Sequence, residues 1–273
     1  MLRVIELDRV NSTNDHARSA FAGADAEAML VVARTQSGGR GRLGRAWRSP
    51  EGGVWCTLAW GRAMPMTLGA CAGMVGALSA RESVLDACGP GAQGRVLVKW
   101  PNDLMLLDPR DGRLRKIGGV LGERDAAGPL LVGIGINADF DERELDQPDE
   151  PLRTPATTLR SALGVRTDPL AIAHDLGQRL AQDLLRLERE GFAPFAEAIN
   201  GSLALAGERT SWATPSGVVE GCAIGVDAHG RLELATDGGV VRLVSGETSR
   251  VVGGEAGAAG VSPRGDGPGR AGG

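Results

Sequence analysis

Between Gly39 and Trp47 the chain reads GRGRLGRAW, with Arg40, Arg42 and Arg45 set among Gly39, Gly41 and Gly44. Arginine offers a planar, permanently charged donor fork that suits carboxylate and phosphate. Glycine lets the backbone take positive φ and approach a ligand closely. Together they predict a flexible clamp for a small anion. A second group of polar residues follows in Lys99-Trp100-Pro101-Asn102-Asp103-Leu104, built around turn chemistry. Then come two apolar segments unusually rich in glycine, Lys116 to Glu123 (KIGGVLGE) and Gly133 to Asn137 (GIGIN). Glycine weakens a strand interior unless something must come close to the backbone. Two neighbouring strands of this kind predict a ligand lying flat on a sheet. Lys116 would sit at its charged end, and Asn137 could hydrogen-bond a base or ribose. Ser12, Thr13 and Asn14, with Gln36 just before the arginine loop, offer hydroxyls and amides for the opposite end.

Gly39, Gly41 and Gly44 also spell a dinucleotide fingerprint, but that motif needs a helix opening directly behind it. Ser49-Pro50 and Gly52-Gly53 follow instead, so that reading is set aside. A net charge of −4 argues against a general nucleic-acid binder. The four cysteines form no CxxC pair and the three histidines are scattered, so neither a metal site nor a disulfide framework is expected. This points to a reducing, cytoplasmic setting. The start of the chain alternates charged and apolar residues and does not read as a signal peptide. Ala63 to Ala80 is uncharged, but its Ala, Gly and Ser content and Pro65 predict a buried helix, not a membrane span.

The elements that must position these groups come in runs. Strands are expected at Leu2 to Leu7, Met29 to Thr35 and Val54 to Trp60, with a helix from Asp15 to Phe21 capped from Asn11-Ser12-Thr13-Asn14. A buried helix follows from Leu68 to Ala87. Four more strands are expected at Arg95 to Trp100, Leu104 to Leu107, Ile117 to Glu123 and Leu130 to Asn137, with a hairpin around Asp108 to Gly112. Asp139 to Pro155 reads as a loop. Asp168-Pro169 opens a helix whose apolar face is Ile172, Leu176, Leu180 and Leu184. A shorter helix is expected from Pro194 to Leu203. Strands around Ser211, Val218 to Val226, Arg231 to Ala235 and Val240 to Leu243 then alternate with tight turns, predicting a small appended β-barrel. The expected class is α+β. Residues 1–205 form the main domain, 206–253 the small one, and 254–273 a disordered tail.

The ordered set STN, GRGRLGRAW, KWPNDL, KIGGVLGE and GIGIN resembles the biotin protein ligases, over about Leu2 to Val252 and including Ser245-Gly246-Glu247. The resemblance implies a mixed sheet related to class II aminoacyl-tRNA synthetase cores, followed by an SH3-like barrel. It implies an ATP-dependent ligase that makes biotinyl-5′-AMP, then transfers biotin to a lysine of a biotin carboxyl-carrier domain. Biotin is the substrate, ATP and Mg2+ are required, and no protein-held metal is implied. Lys116, Arg42 and Asp103 are the implied catalytic residues, Asp103 near the acceptor amine. Ser12, Thr13, Asn14, Gln36, Gly39, Arg40, Gly41, Arg42 and Lys116 would bind biotin over a floor of Gly119, Leu121, Gly133 and Gly135. Arg40, Arg42, Arg45, Trp47, Asn102, Lys116 and Asn137 would hold ATP or the adenylate. The arginine loop would act as a lid, loose without ligand. The chain opens in the catalytic strand, so no DNA-binding module is expected and neither nucleic acid nor membrane is a partner. The resembling family includes monomers and dimers, which leaves a homodimer open.

Bland readings stand beside these. Ser12 and Asn14 could simply cap a helix, Trp47 could be a core aromatic, Asp103 a turn residue and Lys116 a solvated strand end. Arg48 is read as a solvated charge. Lipoate- or octanoate-protein transferases share the implied fold, and a non-catalytic biotin sensor or transcription regulator is a further alternative.

Overall fold

The computed structural model describes residues 2–22, 26–124, 128–145 and 155–251. The expected tail at 254–273 lies outside these, as do residues 146–154 of the expected loop.

Seven strands form one mixed sheet in the order β1-β2-β3-β7-β6-β5-β4. They are β1 Leu2–Val10, β2 Ala28–Gln36, β3 Val54–Trp60, β4 Val96–Lys99, β5 Asp103–Leu107, β6 Leu114–Arg124 and β7 Leu130–Ile136. β1 and β2 run parallel, and every other neighbouring pair is antiparallel. The expected hairpin joins β5 and β6.

The two-residue period of a strand divides this sheet into two unlike faces. On one face Cys56, Leu58, Val132 and Ile134 pack into the main core. The long helices α2 (Met66–Cys88) and α4 (Pro169–Glu190) cover it, with Ile172, Leu176, Leu180 and Leu184 buried as their spacing predicts. Asp168 caps α4 by accepting from the N–H groups of Leu170 (2.9 Å) and Ala171 (3.2 Å). On the other face, α1 (Thr13–Phe21) packs Ala17 over Met29, Val31, Ala59 and Leu131. Along the same face the row Thr57–Gly133–Leu121 runs out from under the first turn of α1, where Thr13 and Asn14 meet Thr57, and the row Trp55–Gly135–Gly119 lies next to it. That strip is the floor of the site. Among the described residues no helix is long and apolar enough to cross a membrane.

Cys56, on the helix-covered face, is 2% exposed, and burial pushes its thiol up to about 12. It should resist alkylation at pH 8 in the folded protein and react once the chain is denatured. Mass spectrometry of alkylated peptides checks this.

A second sheet of five antiparallel strands has the order β11-β10-β9-β8-β12. Its strands are β8 Arg209–Thr214, β9 Gly217–Val226, β10 Leu232–Thr236, β11 Gly239–Leu243 and β12 Glu247–Val251. It is docked on the main domain by an edge-on contact between Trp100 and Trp212, centroids 5.5 Å apart. Trp100 Nε1 also donates to the Gly230 carbonyl at 3.0 Å. Asn200, which ends α5 (Ala193–Asn200), exchanges two hydrogen bonds with the Val226 backbone.

Several expectations shift. The expected strand ending at Trp100 stops at Lys99, and Trp100 enters a turn with a cis bond to Pro101. The first helix begins at Thr13, two residues early, and its N-cap Ser12 makes no side-chain capping bond. The expected loop holds a helical turn, Glu142–Leu145, because Leu145 buries itself with Trp55 and Phe140. A short helix, α3 (Leu159–Leu163), goes unpredicted although Thr158 caps it by accepting from Ser161 N. β12 is likewise missing from the sequence reading, which placed four strands in the small sheet.

Candidate active site

A cavity of about 730 Å³ lies on the open strip, between the arginine loop, the KWPNDL turn and the start of β12. Its floor explains two of the glycines. A Cβ on Gly133 would lie 2.1 Å from Asn14 Oδ1, and one on Gly135 would lie 2.6 Å from Trp47 Nε1. Gly119 is less constrained, with its nearest neighbours at 3.4 Å.

One end of the cavity is a neutral hydrogen-bonding cluster. Gln36 Oε1 accepts from Thr13 N (2.8 Å) and Thr13 Oγ1 (3.1 Å), and Gln36 Nε2 donates to Ser49 Oγ (2.9 Å). Beneath them sits Thr57, 0% exposed, with its hydroxyl 2.8 Å from Thr13 Oγ1 and 2.6 Å from Asn14 Oδ1. Its single proton serves either acceptor. Asn14 Nδ2 donates to Glu123 Oε2 at 2.9 Å. Asn14 is therefore held at both ends of its amide, and capping does not explain it or Ser12. Ser12 is buried against the cavity.

The other end is cationic. Lys116 Nζ lies 2.6 Å from Asp103 Oδ1 and 5.2 Å from the centroid of the Trp47 ring. Arg42 Nη1 donates to Asn102 Oδ1 (3.0 Å), and Asn102 Nδ2 donates to the Val120 carbonyl (2.6 Å). Arg45 donates through Nε to the Arg42 carbonyl at 3.0 Å and pairs with Glu247 at the start of β12. Lys99 lines the same end; burial pushes its ammonium below the usual lysine range, against the pull of Asp103 and Glu247. Asn137 is buried beside the floor. Its Nδ2 donates to the Thr157 carbonyl at 3.1 Å, while Oδ1 is buried without a partner among the described residues.

Arg40 stands between the two ends in a bidentate pair with Asp15, at 2.8 and 2.6 Å. Hydrogen bonds from Arg40 hold the Asp15 carboxyl below its usual range, against the opposing effect of burial. Asp15 also pairs with Arg18, which reaches Glu123 and so returns to Asn14.

Every site residue singled out in the sequence lines this cavity except Gly39. Gly39 is buried behind the loop, where a Cβ would come 2.6 Å from the Trp47 carbonyl oxygen; its smallness packs the loop root and gives it no contact with the cavity. Arg48, read as a solvated charge, is exposed as expected but also borders the cavity. Thr57, Lys99, Glu123 and Glu247 went unselected. Lys99, Glu123 and Glu247 lie inside the motifs already quoted, and the signal for Thr57 is a lone hydroxyl in the otherwise apolar run VWCTLAW.

Residues 6–141 match the Biotin/lipoate A/B protein ligase family, and residues 207–251 match the Biotin protein ligase C terminal domain. A Biotin--[acetyl-CoA-carboxylase] ligase of Paracoccus denitrificans is 34% identical over 240 residues, covering 84% of this chain and 92% of that protein. The chain belongs to the biotin protein ligase family. The second match decides between the biotin and lipoate branches, since that module is described for biotin ligases. Among solved structures, the biotin protein ligase of Aquifex aeolicus in complex with biotin and ATP superimposes with a TM-score of 0.71 at 26% identity, covering 91% of this chain and 99% of that one. The Leishmania major biotin protein ligase in complex with biotinyl-5-AMP gives 0.59, also at 26% identity, covering 88% and 98%. Biotin ligase architecture, with a mixed seven-stranded sheet and a five-stranded C-terminal sheet, is thus what the expected fold becomes in three dimensions.

Proposed function

We propose that this biotin ligase joins biotin to ATP and passes the biotinyl group to one lysine of a biotin carboxyl-carrier domain. One observation carries the assignment of roles: a single cavity joins a neutral hydroxyl-and-amide end to a cationic end across a glycine floor. The first end suits a neutral polar ring such as the ureido group of biotin, met by Ser12, Thr13 and Gln36. Thr57, Asn14 and Glu123 hold those groups in place. The second end suits a carboxylate meeting a phosphate.

In the first step a biotin carboxylate oxygen attacks the α-phosphorus of ATP. The bond to the bridging oxygen breaks and pyrophosphate leaves. Two anions must come together, and at 4 Å they repel by about 4 kcal/mol at an effective dielectric constant near 20. Lys116 and Arg42 oppose that repulsion where charge develops, which is commonly the largest catalytic contribution. Arg45 and Lys99 face the departing phosphates. Trp47 offers its ring to the adenine, and Asn137 Oδ1 accepts from the base. Asn102 orients Arg42. Arg40, held by Asp15, walls the middle of the cavity beside the carboxylate. Magnesium enters with ATP as part of that substrate.

In the second step the acceptor amine attacks the biotinyl carbonyl carbon, the C–O bond to phosphate breaks and AMP leaves. The incoming lysine must shed a proton, and Asp103 beside Lys116 is placed to receive or orient it. Residues 1–205 serve as the catalytic domain and 206–253 as a module that completes the cavity through Glu247. Four free cysteines suit a cytoplasmic setting.

Incubating the protein with biotin, ATP, magnesium and a carrier domain, then weighing the carrier, tests this reading. Addition of one biotin to one lysine supports it, and an unchanged mass refutes it. Thermal shift against lipoate gives a second check, because only a ligand that binds the native state stabilises it. Stabilisation by lipoate and not by biotin would overturn the substrate assignment.

Arg42→Ala should make the adenylate leak. Removing one charge-assisted contact of about 1.5–3 kcal/mol speeds its release by about ten- to a hundredfold, and nearby lysines become biotinylated indiscriminately. Release of biotinyl-AMP from the pre-loaded variant, followed by filtration, measures this. A rate equal to that of the unaltered protein would contradict it.

A further inference from the structure

The hairpin between β5 and β6 carries a charged group that the reaction above does not use. The Asp108 side chain is 0% exposed and accepts from Arg110 Nη2 (2.7 Å) and Arg115 Nη1 (2.6 Å). Burial alone would raise its pKa, but these donors and the Arg110 backbone N–H hold it below the usual range. From this anchor Arg110 reaches the segment beyond β7. Its Nη1 and Nη2 donate to Glu142 Oε1 (3.0 Å) and Oε2 (3.1 Å), and Nη2 lies 3.3 Å from Thr157 Oγ1. Thr157 Oγ1 donates to Glu142 Oε2 at 2.7 Å.

Thr157 is where this group meets the site. Its side chain is buried, its carbonyl accepts Asn137 Nδ2 (3.1 Å), and its N–H donates to the Lys116 carbonyl (3.0 Å). Lys116 N in turn donates to the Pro155 carbonyl (2.8 Å). The Thr157 carbonyl thereby fixes which way the Asn137 amide points. Oδ1 is left buried and, among the described residues, unpartnered, in a side chain that borders the cavity. A buried acceptor in that state calls for a donor from the ligand. The exocyclic amine of adenine is one, whereas guanine presents an oxygen at the equivalent position.

We propose that Arg110 and Glu142 are positioning residues for the nucleotide. They clamp Thr157, and Thr157 aims Asn137 Oδ1 and steadies the Lys116 backbone. The proposal rests on the ligase reading above. The test is biotin-dependent ATP–pyrophosphate exchange in the full chain, comparing Glu142→Ala, Glu142→Gln and Thr157→Val. Glu142→Ala and Thr157→Val should each raise KM for ATP about tenfold, the worth of roughly one buried hydrogen bond. KM for biotin should stay within about twofold, since its contacts lie at the far end. Glu142→Gln, which keeps an acceptor for Arg110 and Thr157, should recover most of the ATP affinity. Discrimination against GTP should fall in the two impaired variants. An unmoved KM for ATP in both, or an equal rise in KM for biotin, overturns the proposal alone. No exchange by the unaltered protein overturns the ligase reading and this proposal with it.

Discussion

Replacing Lys116 by alanine is expected to lower biotin-dependent ATP–pyrophosphate exchange by about a thousandfold, the upper end of what one preorganised donor contributes. Two effects add. On the proposed mechanism the variant loses the cation that faces both reacting anions. It also leaves Asp103, now 2.6 Å from an ammonium, without its counter-charge beside incoming phosphates. The fold should survive. The Lys116 side chain is 23% exposed, and the strand around it is held by backbone pairing with β5 on one edge and by Pro155 and Thr157 on the other. A thermal midpoint within a few degrees of the unaltered protein, with exchange lowered about a thousandfold, is the expected pair of results. Exchange within tenfold of the unaltered rate would remove Lys116 from the centre of the reaction.

Gly133→Ala is expected to weaken biotin binding by about a hundredfold and cost about 1–3 kcal/mol of stability, the usual penalty for overpacking. The added carbon would lie 2.1 Å from Asn14 Oδ1, so Asn14 must move. Moving it breaks contacts to Thr57 and Glu123, which brace the neutral end of the cavity. Gly122→Ala is the control. It lies on the neighbouring strand in open space, with nothing within 4 Å of a new Cβ. It should bind biotin normally and lose no stability. Calorimetric titration with biotin checks both variants. Equal affinities would mean that the glycine floor is not where biotin lies.

The glycines of β6 and β7 were legible because glycine in a strand has few local reasons to exist, so its presence reports a neighbour across the sheet. The arginine loop was legible for a similar reason: its composition suits no regular element. What stayed hidden depends on long-range pairing. Nothing near Arg40 announces Asp15 as its partner, and nothing near Arg45 announces Glu247, two hundred residues on. Thr57 and Lys99 gain their place only when their strands are set beside others. Gly39 was misplaced because a motif gives spacing but not which side of a loop each residue faces. Ser12 and Asn14 illustrate the opposite case. Local chemistry allowed capping as well as binding, and the structure buries Ser12 against the cavity and ties the Asn14 side chain to β3 and β6.

The cavity wall draws on Ser12 near one end of the sequence and on Glu247 near the other. Between them lies most of the described chain. A partly synthesised chain can therefore own the arginine loop, the lysine and the glycine floor and still lack a closed chamber. β12 is held at the cationic end by its pairing with β8. A chain cut before β12 would lack Glu247 and Thr248 at the cationic end and leave Arg45 without the carboxylate it pairs with.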